Sequence, residues 1–241
     1  MDDASLAARW DRLAEEWAED PRHAGPKQHI AAPTFRSLWG DLRGREVLDA
    51  GCGGGWLTRV AAAEGARVTA VDLSPAMIAQ ARRLDAGAGG RYHVGNLCDL
   101  RPWGDARFDL VVSHCCLQDV SDHRRALAEL ARVLRPGGHL IAAVVHPFTW
   151  QPDAHWGRPA PGEPFTGRID DPQYLTERLS GHTMFHRPLS AYSHAITKAG
   201  LHLLALLEPA PAPDLEGVLG ADERWERWRR VPDFLFFHAR R

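Results

Sequence analysis

Residues 46–56 read EVLDAGCGGGW, and the run VTAVD at 68–72 closes on Asp72, twenty-one residues after Gly51, the first glycine of that stretch. An apolar run, alternating glycines, an amphipathic segment and a second apolar run ending in a carboxylate describe strand, tight turn, helix and parallel strand. The glycines act sterically: Gly51, Gly53 and Gly55 let the backbone turn sharply, expose its N–H groups and approach a ligand with no Cβ in the way. A carboxylate on the tip of the second strand can accept both hydroxyls of a ribose, so the two stretches together form a grip for a nucleoside. The dinucleotide fingerprint GxGxxG requires glycine at position 56, where this chain has Trp56.

On both sides of this stretch the alternation of strand and helix is regular. The pattern predicts strands at Val47 to Ala50 and Val68 to Val71, with a helix from Trp56 to Glu64 between them. Ser74 caps a helix that carries Pro75 at its first position and Met77, Ile78, Ala81 and Leu84 on its inner side. Strands follow at Tyr92 to Val94 and Phe108 to Ser113, then a helix from Asp122 to Leu134 capped by Ser121, and a fifth strand from His139 to Val145 after Pro136-Gly137-Gly138. Farther on come a helix near Ala191 to Lys198 and strands at Leu201 to Leu207 and Asp233 to Ala239, expected as an antiparallel pair at the sheet edge. On the N-terminal side, Leu6, Trp10, Leu13 and Trp17 form one apolar stripe of a helix, and Pro21 to Pro33 reads as a loop before a short helix ending near Gly40. The fold class is therefore α/β: a doubly wound, seven-stranded, mostly parallel sheet with an N-terminal helical cap and an insertion after strand five. We expect one domain over 1–241, with a cap at 1–44, a core at 45–145, a pocket insertion at 146–188 and a final helix and strand pair at 189–241.

Composition limits the functions open to such a fold. With 241 residues and 44% hydrophobic content the chain can bury one large core. A net charge of -2 and a pI near 6.7 provide no electrostatic drive toward nucleic acid or an anionic membrane. The basic, Trp-bearing run RWERWRR at 224–230 reads as a solvated amphipathic helix. The chain opens MDDASLAARW, with acids and no apolar leader, and holds no run of eighteen apolar residues, so a cytoplasmic protein without membrane partners is expected. Cys52, Cys98, Cys115 and Cys116 lack CxxC spacing and read as reduced thiols.

The glycine turn with Asp49, in the order DxGxGxG, resembles motif I of the class I S-adenosylmethionine-dependent methyltransferases. VDLSPAMIAQAR resembles the following motif, VGNLCDLRPW the segment often written GDAxxLPF, and RFDLVVSHCCLQDVSD with RALAELARVLRPGGHL the next two motifs of the type 11 group, which includes ubiquinone- and menaquinone-methylating enzymes and natural-product tailoring enzymes. The later HRPLSAYSHAITKAG resembles a small-molecule branch of that group. The resemblance implies an S-adenosylmethionine cofactor bound by Asp49, Gly51, Cys52, Gly53, Asp72, Leu73, Met77, Asn96, Leu97, Ser113 and Gln118, with Asp72 on the ribose and Leu73, Asn96 and Leu97 around the adenine. The family commonly has Asp where this chain has Asn96, whose carboxamide oxygen can still accept from the adenine amine.

Methyl transfer from a sulfonium is an in-line displacement on an activated electrophile, so positioning and exclusion of water supply most of the acceleration, and a base is needed only where the acceptor carries a proton. His146 and then His114, at the carboxyl ends of strands five and four, are the candidate bases, set against the fact that a histidine beside a pocket is often only a hydrogen-bonding wall. His182 and His186 stand four apart, but Gly181 and Pro188 argue against a helix, and no metal site is expected. Between His146 and Arg187 the periodicity breaks into a loop-rich stretch with many prolines and aromatics, expected to wall the acceptor pocket. Trp10, Trp17, His146, Phe148, Trp150, Tyr174 and His186 are the candidate acceptor contacts, with Trp156 in the same aromatic set. The expected activity is methylation of O, N or electron-rich C of a small, aromatic or natural-product acceptor by a monomer or homodimer. The rivals are quinone-type C-methylation and a non-catalytic module that binds S-adenosylmethionine.

Overall fold

The computed structural model describes residues 2–19, 27–147, 175–178, 182–185, 187–211 and 232–241. Seven strands form one sheet: β1 (Glu46–Ala50), β2 (Arg67–Asp72), β3 (Arg91–Val94), β4 (Phe108–His114), β5 (Leu134–Val145), β8 (His202–Leu207) and β9 (Phe234–Arg240), in the order β3-β2-β1-β4-β5-β9-β8. The first five run parallel, and β9 inserts antiparallel between β5 and β8, which is the edge pair expected from sequence. The chain order reverses between β1 and β4, and carboxyl ends of strands at such a switch point form the crevice where α/β proteins bind ligands.

Helices cover both faces. Alternation along β4 sends Leu110 and Val112 to a core shared with α2 (Ala32–Trp39) and α3 (Trp56–Ala63), while Val111 enters the larger core under α5 (His123–Val133) and α6 (Leu189–Lys198). The central strands are buried on both sides, which is why their sequences are nearly continuous apolar runs. Near β2, α4 (Pro75–Asp85) is capped as expected: the Ser74 hydroxyl accepts from the Met77 N–H at 3.0 Å. The cap of α5 is Asp122 rather than Ser121, because the Asp122 carboxylate accepts from the Arg125 N–H at 3.0 Å and the Ser121 hydroxyl donates instead to Asp3.

Three other segments differ from the sequence expectation. Part of the stretch read as a loop before α2 is helical: a π-helical turn at Lys27–Ala31 runs into α2, with Ile30 and Ala31 in the core. The fifth strand begins at Leu134, and a register shift between Phe108 and Leu110 absorbs the Pro-Gly-Gly segment. Inside the insertion, β6 (Leu175–Arg178) and β7 (His182–Phe185) pair antiparallel, each too short for a period of two to stand out. His182 therefore lies on a strand, against a helical His182/His186 pair; His186 itself lies outside the described residues, as do Phe148, Trp150, Trp156, Tyr174 and the run at 224–230. No described helix is long and apolar enough to cross a membrane, and all four cysteines are free thiols.

The N-terminal helix α1 (Asp3–Glu19) is present, with Leu6 and Ala14 buried against the body and Trp10 edge-on to Trp17 at 5.2 Å. It packs chiefly on α4, which places it beside the carboxyl ends of β2 and β3.

Candidate functional site

The glycine turn is built from positive-φ backbone. Gly51, Gly53 and Gly55 have φ of 76°, 50° and 74°, values that L side chains rarely adopt. A Cβ on Gly51 would lie 2.1 Å from Cys116 Sγ, and one on Gly55 would meet the Tyr92 ring at 2.9 Å, so these two glycines serve packing. A Cβ on Gly53 would meet nothing within 4 Å: its outer side faces the open crevice.

Asp72, at the tip of β2, accepts from the Gly53 N–H through Oδ2 at 2.8 Å and from the Ser74 N–H through Oδ1 at 2.9 Å. Each oxygen keeps a lone pair for a further donor, so the carboxylate both ties the turn to the strand and presents an acceptor pair. Burial pushes its pKa up, while the two N–H bonds pull it down. Leu73 is half-buried beside it, and Met77 and Leu97 are buried.

Asp49 lies one layer deeper. It is buried on β1, accepts from the Thr58 hydroxyl at 2.6 Å, and burial raises its pKa to about 7. A carboxyl whose pKa is higher folded than unfolded binds more protons in the native state across that interval, so it destabilises the protein as pH rises from about 4 to 7. Asp49→Asn is therefore expected to be neutral near pH 4 and stabilising above pH 8, by at most ~4 kcal/mol. Thermal melts of parent and variant across that range test it; a gap independent of pH would show that Asp49 is ionised throughout. Cys52, beside it in the turn, is buried and its thiol is pushed well up by that burial.

Two of the sequence candidates for the cofactor spend their polar atoms inside the protein. The Ser113 hydroxyl donates to the Ala50 carbonyl at 2.8 Å and is fully buried, so it stitches β4 to β1 and does not reach the crevice. Asn96 accepts from the Cys98 N–H at 2.8 Å with its oxygen and donates to Asp3 on α1 at 2.7 Å with its nitrogen. Gln118 is buried in the turn after β4, where its nitrogen donates to the Cys115 carbonyl at 2.6 Å; its Oε1 is buried with no hydrogen-bond partner among the described residues. A buried acceptor in that state accommodates a donor from a ligand.

The two histidines are not brought together. His114 ends β4 in the parity of Leu110 and Val112, against the rings of Trp56 (5.0 Å), Phe234 (5.0 Å) and Phe35 (6.1 Å). Its Nε2 lies 3.7 Å from the Cys115 thiol, and Cys115 has φ 52°, the strained conformation that clusters at functional sites. His146 follows β5 in the parity of Val144, on the other face of the sheet. It is only 2% exposed, and its Nε2 lies 2.8 Å from Glu208 Oε1.

Sequence reasoning missed the rings packed around His114 and one buried cation. Trp56 was legible as the residue after the turn, whereas Phe234 reaches His114 only because β9 pairs with β5. Arg187 is 3% exposed, donates to the carbonyls of Leu117, Val120 and Ser121, and lies over the Phe185 ring at 4.8 Å. It braces the turn that carries Gln118 and Asp119; one arginine among many in the sequence signals nothing of this. Among the described residues no group of three His, Cys, Asp or Glu is arranged to hold a metal.

Comparison with known proteins places this geometry. A family described as a methyltransferase domain matches residues 48–142. The chain is 36% identical over 155 residues to a malonyl-[acyl-carrier protein] O-methyltransferase of Erwinia billingiae, covering 61% of this chain and 59% of that protein. It is 35% identical over 150 residues to a ubiquinone biosynthesis O-methyltransferase of Xanthomonas oryzae pv. oryzae, covering 59% of each. It thus spans about three fifths of the length of these curated relatives. Among solved structures, an S-adenosylmethionine-dependent methyltransferase from Mesorhizobium loti superposes with a TM-score of 0.68 at 25% identity, covering 87% of this chain and 96% of that one.

Proposed function

We propose, from a chain whose residues 48–142 carry a methyltransferase domain of the class I, S-adenosylmethionine-dependent kind, that the protein methylates the oxygen of a small hydroxyl-bearing aromatic acceptor. The observation that carries the cofactor half is the Gly53 to Asp72 arrangement: an open glycine cradle beside a carboxylate with acceptor capacity to spare. These residues fit S-adenosylmethionine, because Asp72 suits two ribose hydroxyls and the unsatisfied Gln118 oxygen suits an ammonium donor. When bound, the sulfonium supplies a methyl already activated for displacement.

The acceptor half rests on His114 and its rings. Phe35, Trp56 and Phe234 pack their rings about the imidazole and hold it at the end of β4, so an acceptor that reaches it meets an apolar rim. His114 is the histidine with solvent access, so we assign it removal of the hydroxyl proton, while His146 is held inside the body by Glu208. Oxygen is preferred over nitrogen or carbon because both relatives are named as O-methyltransferases. The reading includes a cytoplasmic setting and a tailoring step on an aromatic product. Incubation with methyl-labelled cofactor and a panel of phenols, catechols, carboxylic acids and quinol precursors tests it. Label on a phenolic oxygen is the expected result. Label confined to carboxylates would sink the hydroxyl assignment, and S-adenosylhomocysteine binding without turnover on any acceptor would favour a binding module.

A further inference from the structure

The N-terminal helix is fastened beside Asp72 by two of its own acids. Asp3 Oδ2 accepts from Asn96 Nδ2 at 2.7 Å, in the loop after β3, while Asp3 Oδ1 accepts from the Ser121 hydroxyl at 3.2 Å. Asp11 Oδ1 accepts from the Ser74 hydroxyl at 2.5 Å and from the Ala76 N–H at 3.0 Å, at the start of α4. Eight residues separate the two acids, a span of about 12 Å along a helix. The helix is thus tied to the loop after β3, to Ser121 beyond β4 and to the start of α4, and Asp11 stands near enough to Asp72 for its charge to add to the burial that pushes that carboxyl's pKa up.

We propose that Asn96 is the positioning residue of a latch: its oxygen shapes the loop after β3 while its nitrogen holds α1 shut over the nucleoside site, and so sets how fast a nucleoside leaves. The chemistry requires an amide at this position. The Cys98 N–H needs an acceptor and the Asp3 carboxylate needs a donor, and among near-isosteric side chains only Asn offers both. A carboxylate at 96 would satisfy Cys98 but would face Asp3 as a like charge. A nucleoside seated against Asp72 lies under α1, so its release requires the helix to lift. The proposal rests on the cofactor reading above for the identity of the nucleoside, and on geometry alone for the latch.

The test separates the two. Hydrogen exchange of the α1 amides in ligand-free protein reads the latch without any cofactor. Asn96→Asp is expected to raise that exchange about tenfold or more, since one charge-assisted hydrogen bond is replaced by repulsion. Asp3→Asn is expected to leave it within about threefold, because the Asn oxygen still accepts. The double variant Asp3→Asn with Asn96→Asp reverses donor and acceptor and is expected to return exchange to within about threefold of the parent. Should Asn96→Asp fail to fold, Asp3→Ala is expected to open α1 by the same factor while leaving the loop intact. Release of labelled S-adenosylhomocysteine should follow the same order. The proposal is overturned if α1 exchange ignores Asn96→Asp and Asp3→Ala, if the double variant is no better than Asn96→Asp, or if α1 opens while release stays constant. Failure of the parent to bind S-adenosylhomocysteine at all would instead overturn the cofactor reading.

Discussion

Asp72→Ala should lose S-adenosylhomocysteine affinity by a factor of about a hundred to ten thousand, because two hydrogen bonds to a charged acceptor, worth about 1.5–3 kcal/mol each, disappear together. The loss is amplified by what Asp72 does without a ligand. Its oxygens hold the Gly53 and Ser74 N–H groups, so removing them loosens the cradle and the start of α4 as well as the hydroxyl contacts. Asp72→Asn separates these contributions: one carboxamide oxygen can serve one N–H, while its NH₂ opposes the other. Asn should therefore fall close to Ala in affinity but melt closer to the parent. Calorimetric titration of the three proteins decides the matter. Parent-like affinity in the Ala variant would remove Asp72 from the site.

His114→Ala should lower kcat by about a hundredfold or more on a hydroxyl acceptor while leaving S-adenosylhomocysteine affinity unchanged, the range expected when a general base is removed. The two readouts matter jointly, because loss of the ring packing alone would raise KM before it lowered kcat. His146→Ala should do the reverse. With its ring buried and bonded to Glu208, its removal should cost about 1–3 kcal/mol of stability and leave kcat within about threefold. If a soundly folded His146→Ala protein lost turnover and His114→Ala kept it, the proton would belong to His146, with Glu208 orienting its ring.

The parts of the site that lie close together in the chain were the parts legible beforehand. Strand β1, the glycine turn and Asp72 occupy fewer than thirty residues, and their meaning lies in local periodicity and glycine sterics. The Ser74 cap and the antiparallel edge pair follow from equally local signals. Ser113 is instructive the other way: it lies on the strand read from sequence, but its hydroxyl turns to the neighbouring strand, because a buried hydroxyl takes the nearest carbonyl. The π-helical turn before α2 and the β6–β7 pair were illegible because each is too short to carry a period.

Strand and helix alternation, the glycine turn and the placing of Asp72 at the tip of β2 follow from the sequence alone, since each is written in runs and spacings of a few residues. Folding alone puts Phe234 beside His114, Arg187 against the turn after β4, and Asn96 opposite Asp3 from ninety-three positions away. Those contacts come from strand order and from an N-terminal helix that folds back onto α4 and the loop after β3. Pairing between distant segments leaves no period in the chain, so no reading of neighbours along it can supply them.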